Sequence, residues 1–279
     1  MLDSELVYHP TFIQGGQGNL FIFACWPAGT QKRRRQGILL VPPFAEEMNK
    51  SRRMLIQQAK QLAQQGHIVL LIDLFGTGDS EGDFKDATWA GWCDDISVAH
   101  RWLIDHDVEK VSAIGLRTGA LLLADMLAQK SIELETLALW QPVIEGNQFL
   151  NQFFRLRLAA EMSADGQEKL SISQLRQELS DQGSTEIAGY TITQSLVETM
   201  SQKSLLTMID NVPTQFHWCE IIQAPSRPLT AATQKAMDKL AKAGVNVNLH
   251  KVRGYPFWGA SGVDDVPALH ETTCKVFSQ

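Results

Sequence analysis

What this chain has little of narrows the field before any motif is read. It has four cysteines, Cys25, Cys93, Cys219 and Cys274, scattered without a C-x-x-C pair. That excludes a disulfide framework and a cysteine-rich zinc site, and suits reduced thiols in a cytosolic protein. No apolar run approaches the ~18 residues that a membrane span needs, so no integral membrane protein is expected. The opening residues Met1-Leu2-Asp3-Ser4-Glu5 lack the basic, apolar and small-residue order of a secretory leader. The expected location is the cytoplasm. A basic surface is also missing: the net charge is −6, which argues against nucleic acid as a partner. The one basic run, Lys32-Arg33-Arg34-Arg35, reads as a solvated hairpin tip. A phosphate-binding G-x-x-x-x-G-K-[ST] loop is absent. Gly76-Thr77-Gly78 does not open directly into a helix, so it is no dinucleotide fingerprint. No cofactor is implied. Internal repeats and low-complexity tracts are absent as well.

What is present is an ordinary globular composition, 279 residues with 44% hydrophobic and 20% charged side chains, enough for a sizeable core. Strand-like runs come first, Leu6 to Ile13, Leu20 to Trp26 and Gly37 to Val41. Gly15-Gly16-Gln17-Gly18 makes the first two an antiparallel hairpin. Strands and helices then alternate. Met48 to Gln65 reads as a helix, His67 to Asp73 as a strand buried on both faces, and Ala87 to His106 as a helix. Lys110 to Ile114 is a strand, Gly119 to Gln129 a helix and Leu134 to Val143 a strand. From Gly146 to about Asn211 no strand is needed, and this stretch reads as a helical insertion or cap. Gln215 to Ile222 (strand), Thr230 to Lys242 (helix), Val245 to Val252 (strand) and Val266 to Phe277 (helix) close the chain. The order implies an α/β fold: a mostly parallel sheet after an N-terminal antiparallel hairpin, with helices on both faces. The core is expected over 1–144 and 213–279, with the cap at 145–212.

In such sheets ligands sit beyond the carboxyl ends of the strands, so chemistry is sought there. One strand end reads Val41-Pro42-Pro43-Phe44-Ala45-Glu46-Glu47-Met48-Asn49-Lys50. The prolines cannot donate to a ladder and stop the strand. Glu46, Glu47, Asn49 and Lys50 then serve either as a polar helix start, where carboxylates suit the dipole, or as ligand-facing groups. A second, Asp73-Leu74-Phe75-Gly76-Thr77-Gly78-Asp79-Ser80-Glu81-Gly82, reads as a structural turn. The third is Gly115-Leu116-Arg117-Thr118-Gly119, directly after one strand and opening a helix. That is the layout of a nucleophile elbow, in which the central residue is held exposed and strained.

Together the Asp73-to-Gly82 turn, the elbow and the helical insertion resemble the α/β-hydrolase superfamily over the whole chain. More narrowly, residues 41–53, Gly115-Leu116-Arg117 and Gly254-Tyr255-Pro256-Phe257-Trp258 resemble the second type of exosortase A system-associated hydrolase. That family accompanies the bacterial machinery that sorts PEP-CTERM proteins and produces exopolysaccharide. The resemblance implies hydrolase chemistry on an ester, thioester or similar acyl substrate.

Acyl transfer on this fold needs a nucleophile, a histidine and an orienting carboxylate. Arg117 stands in the nucleophile place, and a guanidinium stays protonated. The loop after the last strand, where the histidine belongs, has none; His250 falls within the strand and His270 in the final helix. Glu220 is the candidate acid. Thr118 is expected to point into the helix start, while Ser80, Cys93 and Cys219 have no evident base. Two readings stand. In one, an acyl hydrolase works without serine, a carboxylate among Glu46, Glu47 and Glu220 acting as base and Arg117 stabilising an oxyanion. In the other, a non-catalytic member binds an anionic or lipid-linked ligand through Arg117, with Glu46, Glu47, Asn49, Lys50, Thr118, Phe257 and Trp258 around it. Arg117 is expected to find an anion, either internally (Glu220 or Glu47) or on a ligand, because a cation on a helix N-terminus costs ~0.3–1 kcal/mol. Phe149, Phe153 and Phe154 either pack the cap or line a pocket for an acyl tail. The sequence leaves a homo-oligomer open.

Overall fold

A computed structural model describes residues 5–29, 35–162, 171–210, 212–224, 226–259 and 265–278. Strands β1 (Leu6–Gln14) and β2 (Asn19–Pro27) form the expected antiparallel hairpin. Then follow β3 (Gln36–Val41), helix α1 (Ala45–Gln64), β4 (Ile68–Ile72), α2 (Trp89–Asp105), β5 (Lys110–Leu116), α3 (Thr118–Ala128) and β6 (Thr136–Trp140). The insertion carries α4 (Gly146–Met162), α5 (Ile172–Gln182), β7 (Ser184–Ile187), β8 (Tyr190–Thr193), α6 (Gln194–Ser201) and α7 (Leu205–Met208). The chain ends on β9 (Gln215–Ile222), α8 (Ala231–Lys242), β10 (Val247–Arg253) and α9 (Pro267–Val276).

Eight strands make one sheet in the order β1-β2-β4-β3-β5-β6-β9-β10. β2 meets β4 antiparallel, and every pairing from β4 to β10 is parallel. The inner parallel strands β3, β4 and β6 are buried along almost their whole length, as their apolar runs require, while β10 at the edge is only partly buried. Successive residues alternate between two cores. Ile38, Leu40, Ile114, Ala138 and Trp140 pack with Met54, Leu55 and Leu62 of α1 and Leu269 of α9. Leu39, Val41, Ala113, Leu137 and Leu139 pack with Trp92 and Ile96 of α2, Leu121 of α3 and Leu240 of α8. The sheet is therefore sandwiched between α1 and α9 on one side and α2, α3 and α8 on the other.

Three expectations change. Helix α1 begins at Ala45, three residues earlier than its apolar pattern suggested, because Pro42 and Pro43 end the strand and the polar first turn is already helical. β6 is shorter than Leu134–Val143: Gln141 leaves the ladder at φ 41° and Pro142 follows it. The insertion is not purely helical, since β7 and β8 pair antiparallel around Ala188-Gly189, both at positive φ. That is the geometry of a two-residue hairpin turn, and four-residue strands leave too short a pattern to detect. Of the basic run, Lys32 to Arg34 lie outside the described residues, and Arg35 is ion-paired with Glu109 on the surface.

The insertion is closed at its neck. A bridge joins Glu145 to Ser204, the Gly146 amide donates to the Lys203 carbonyl and the Leu205 amide to the Ile144 carbonyl. Its phenylalanines are packing residues: Phe149 and Phe153 stack on each other and meet Phe44 edge-on, and Phe154 is fully buried. They fill the space between insertion and sheet rather than leave it open at that point.

Candidate functional site

The turn from β5 into α3 is built for close approach. A Cβ on Gly115 would lie 2.5 Å from Ala120 Cα, and one on Gly119 would lie 2.2 Å from the Val41 carbonyl oxygen. Only glycine lets the helix start press against β5 at the first point and against β3 at the second. Between them Arg117 sits at φ 54°, ψ −113°, a backbone state costing a non-glycine residue about 1–3 kcal/mol. Its amide donates to the Trp140 carbonyl at 3.0 Å, and its carbonyl accepts from Ala120 and Val143 at 3.2 Å. These bonds hold the strained residue at the carboxyl edge of the sheet.

The guanidinium is gripped from several directions. Nε donates to both Glu47 oxygens at 3.2 and 3.3 Å, and Nη2 donates to Oε1 of the same carboxylate at 3.1 Å. Nη1 donates to the Gln141 carbonyl at 3.3 Å. The Phe149 and Trp258 rings lie 5.7 and 5.2 Å from the guanidinium carbon, close enough for cation–π attraction. The two side chains of the ion pair are 14% and 21% exposed. Burial pushes the Glu47 carboxyl above its ordinary range, and Arg117 beside it opposes the rise without cancelling it. Glu47 comes from the first turn of α1, set in place by the sharp start of that helix after Pro43, where Ala45 has φ 55°.

The remaining candidates divide between this cluster and elsewhere. Trp258 reaches Arg117, and Phe257, 1% exposed, anchors the same loop edge-on against Trp140. Asn49 donates to the Tyr190 hydroxyl at 2.9 Å, joining α1 to the hairpin of the insertion. Lys50 pairs with Glu46 one turn back at 3.2 Å. Thr118 is fully buried, and its Oγ1 has no hydrogen-bond partner among the described residues. Glu220 lies apart: it accepts from the Trp218 indole at 3.1 Å and from the Thr233 hydroxyl at 2.9 Å, tying β9 to α8. It is not a hydrogen-bond or ion-pair partner of Arg117 among the described residues. Glu47 takes the place that Glu220 or Glu47 was expected to fill.

The other candidate groups serve the frame. Ser80 accepts from the Phe21 amide at 2.8 Å and donates to the Asp73 carbonyl at 2.6 Å. Asp73 is bound by Arg52 and by the Asp79 amide. Burial pushes the Cys93 and Cys219 thiols up to about 12, which leaves almost no thiolate at neutral pH. His250 Nε2 is 3.0 Å from His217 Nδ1, and His270 meets Gln58 at 2.9 Å. Gln141 is a site residue that sequence reasoning missed. Its carbonyl accepts from Arg117 and its side-chain oxygen accepts from the Ile221 amide at 2.7 Å. The only available signal was its place just before Pro142 at a strand end. No group of three or more His, Cys, Asp or Glu side chains is placed to hold a metal ion among the described residues, and none of the described helices is long and apolar enough to cross a membrane.

The family described as X-Pro dipeptidyl-peptidase (S15 family) matches residues 25–273. No curated protein matches at the level of sequence. Among solved structures, Est1E from Butyrivibrio proteoclasticus with ferulic acid bound is similar with a TM-score of 0.66 at 13% identity, covering 95% of this chain and 97% of that one. A highly thermostable carboxyl esterase from Bacillus coagulans, in complex with glycerol, has a TM-score of 0.66 at 14% identity over 97% of both chains. An α-β serine hydrolase homologue from Coxiella burnetii has a TM-score of 0.57 at 15% identity, covering 96% and 97%. At these identities the likeness is one of fold, and the fold is that of the α/β hydrolases.

Proposed function

The chain belongs to the X-Pro dipeptidyl-peptidase (S15) family, and from that premise we propose that its strand-edge site binds a small anionic ligand at Arg117 rather than cleaving an acyl substrate. The observation that carries this reading is the guanidinium on the elbow, fixed against Glu47 and partly exposed. A guanidinium cannot attack a carbonyl at neutral pH. It has five N–H donors; Glu47 and the Gln141 carbonyl engage one each on Nε, Nη2 and Nη1. Among the described residues two N–H groups remain without a partner, one on each terminal nitrogen, and guanidinium donors of this kind suit a carboxylate or phosphate. In this reading the insertion at 145–212 acts as a cap over the site, and Glu220 is a structural carboxylate. The half-buried Trp258 ring offers an apolar wall for the body of the ligand. The resemblance carried by residues 41–53, 115–117 and 254–258 supports a place beside the exosortase and exopolysaccharide machinery, where an anionic or lipid-linked molecule is the natural ligand.

A second reading, an acyl hydrolase lacking the serine and histidine of the usual relay, is favoured by one observation. The Glu47 carboxyl is raised by burial, which moves it toward the range of a working general base. One experiment separates the two. A serine-directed fluorophosphonate probe and a panel of p-nitrophenyl esters are expected to give neither labelling nor turnover. Hexanoate is expected to raise the melting temperature of the wild type and not of Arg117→Ala. Ester turnover abolished by Glu47→Gln would establish the hydrolase instead.

A further inference from the structure

We propose that Arg117 takes a monovalent carboxylate by proton-coupled binding, in which Glu47 picks up one proton from solvent as the ligand enters. The inference rests on the anion-binding reading above and adds its ligand class and its regulation. The pair as it stands is electrically neutral, one guanidinium facing one carboxylate, with both side chains largely withdrawn from water. A second carboxylate on the two remaining Arg117 N–H groups would leave the site with a net negative charge. It would also place two carboxylates around one cation. Two like charges sharing a partly buried site do not both stay ionised; one of them takes a proton. Glu47 is the one positioned to do so, because its carboxyl already stands above its ordinary range through burial.

The surroundings offer little to prevent this. The charges facing Glu47 are Arg117 from the elbow and Lys50 from its own helix, and Lys50 is bound to Glu46. The other side chains against the guanidinium, Phe149 of α4 and Trp258 of the loop after β10, carry no charge. Protonated Glu47 keeps one carbonyl oxygen to accept from Arg117, so the guanidinium is not left unsupported. A monoanion fits better than a dianion, because a single proton restores neutrality only for a single added charge. An apolar body suits the half-buried Trp258 ring.

The linkage has a definite sign. Bound carboxylate raises the Glu47 pKa further, so affinity falls with rising pH between its value in the unliganded protein and its value in the complex. In that interval the dissociation constant rises up to about tenfold per pH unit. The test uses the full chain and hexanoate, titrated by calorimetry from pH 6.5 to 8.5, where the ligand is almost fully ionised, in buffers of different ionisation enthalpy. The expected result is uptake of close to one proton per hexanoate bound, a dissociation constant that climbs with pH, and loss of both in Glu47→Gln. The amide binds more tightly at pH 8, because it needs no proton. Hexanoate binding without proton uptake and with a flat pH profile would overturn the coupling while leaving the anion site standing. Absence of binding to the wild type and to Glu47→Gln at every pH would overturn the anion site, and the coupling with it. The buffer comparison on the wild type keeps the test valid even where the variant folds poorly.

Discussion

Two buried ion pairs in this molecule use the same chemistry to different ends. Beneath the insertion, Lys203 Nζ lies 2.6 Å from Asp125 Oδ2. The Trp89 indole donates to that same oxygen at 2.7 Å, and the lysine also lies over the Trp89 ring. Three elements meet there, the neck of the insertion, α2 and α3. The Asp125 side chain is only 7% exposed. At the elbow the carboxylate of the Arg117–Glu47 pair is more open, its cation sits on a strained residue, and two of the cation's N–H groups have no partner among the described residues. The first pair is a joint, the second a site. The difference lies in how completely the charges are matched by surroundings that cannot move.

Breaking the joint should cost most. Lys203→Ala leaves Asp125 buried without its cation, and removing one partner of such a pair costs about 3–5 kcal/mol. Chemical denaturation should show that loss, and an unchanged midpoint would mean that the backbone hydrogen bonds of the neck suffice without this ion pair. A carboxylate without any cation sharpens the contrast. Asp95, almost fully buried, accepts only from the Phe75 amide at 2.8 Å among the described residues, and burial raises its pKa to about 6. A folded-state value above the unfolded one means that protonation favours the folded protein. Stability should therefore fall as pH rises from about 4 through about 6, by on the order of 2–3 kcal/mol, and the fall is complete above that window. Asp95→Asn should flatten this part of the profile; a wild type already flat from pH 4 to 6.5 would refute the assignment.

Smaller effects are expected at the elbow. Arg117→Ala should cost about 1–2 kcal/mol, since Glu47 is able to protonate or hydrate once its partner is gone. A cost equal to that of Lys203→Ala would erase the distinction between joint and site. Arg117→Ser restores a hydroxyl at the turn, yet p-nitrophenyl ester hydrolysis should stay at background, because Trp258 rather than an imidazole faces this position. Smallest of all, Asn49→Ala removes one exposed hydrogen bond to Tyr190 and should shift stability by about 0.5–1 kcal/mol. A larger loss would show that the hairpin of the insertion depends on α1.

The elements of the fold were legible where their patterns are long. β4 is an unbroken run of Ile, Val and Leu, α2 repeats apolar residues at helical spacing, and α3 is apolar almost throughout, so burial on both faces, on one face or all round could be read directly. The β7–β8 hairpin was not legible, because its strands have four residues each and its turn is Ala-Gly rather than Asn-Gly. The elbow was recognisable because its two glycines must lie at a fixed spacing for helix and strand to touch. The anion that answers Arg117 was not, because Glu47 opens α1 and Glu220 lies within β9, and only the packing of these elements decides which carboxylate reaches the elbow.

By itself the sequence determined the layered α/β architecture, the strained turn between β5 and α3, and the permanent positive charge on it, since periodicity, glycine spacing and guanidinium chemistry are local properties. Only the tertiary structure decided that Glu47 meets that charge, that Glu220 ties β9 to α8, and that Phe149 and Trp258 wall the guanidinium. Those choices join residues from distant parts of the chain. They follow from how α1, the insertion and the last loop pack against one sheet edge, which no local pattern encodes.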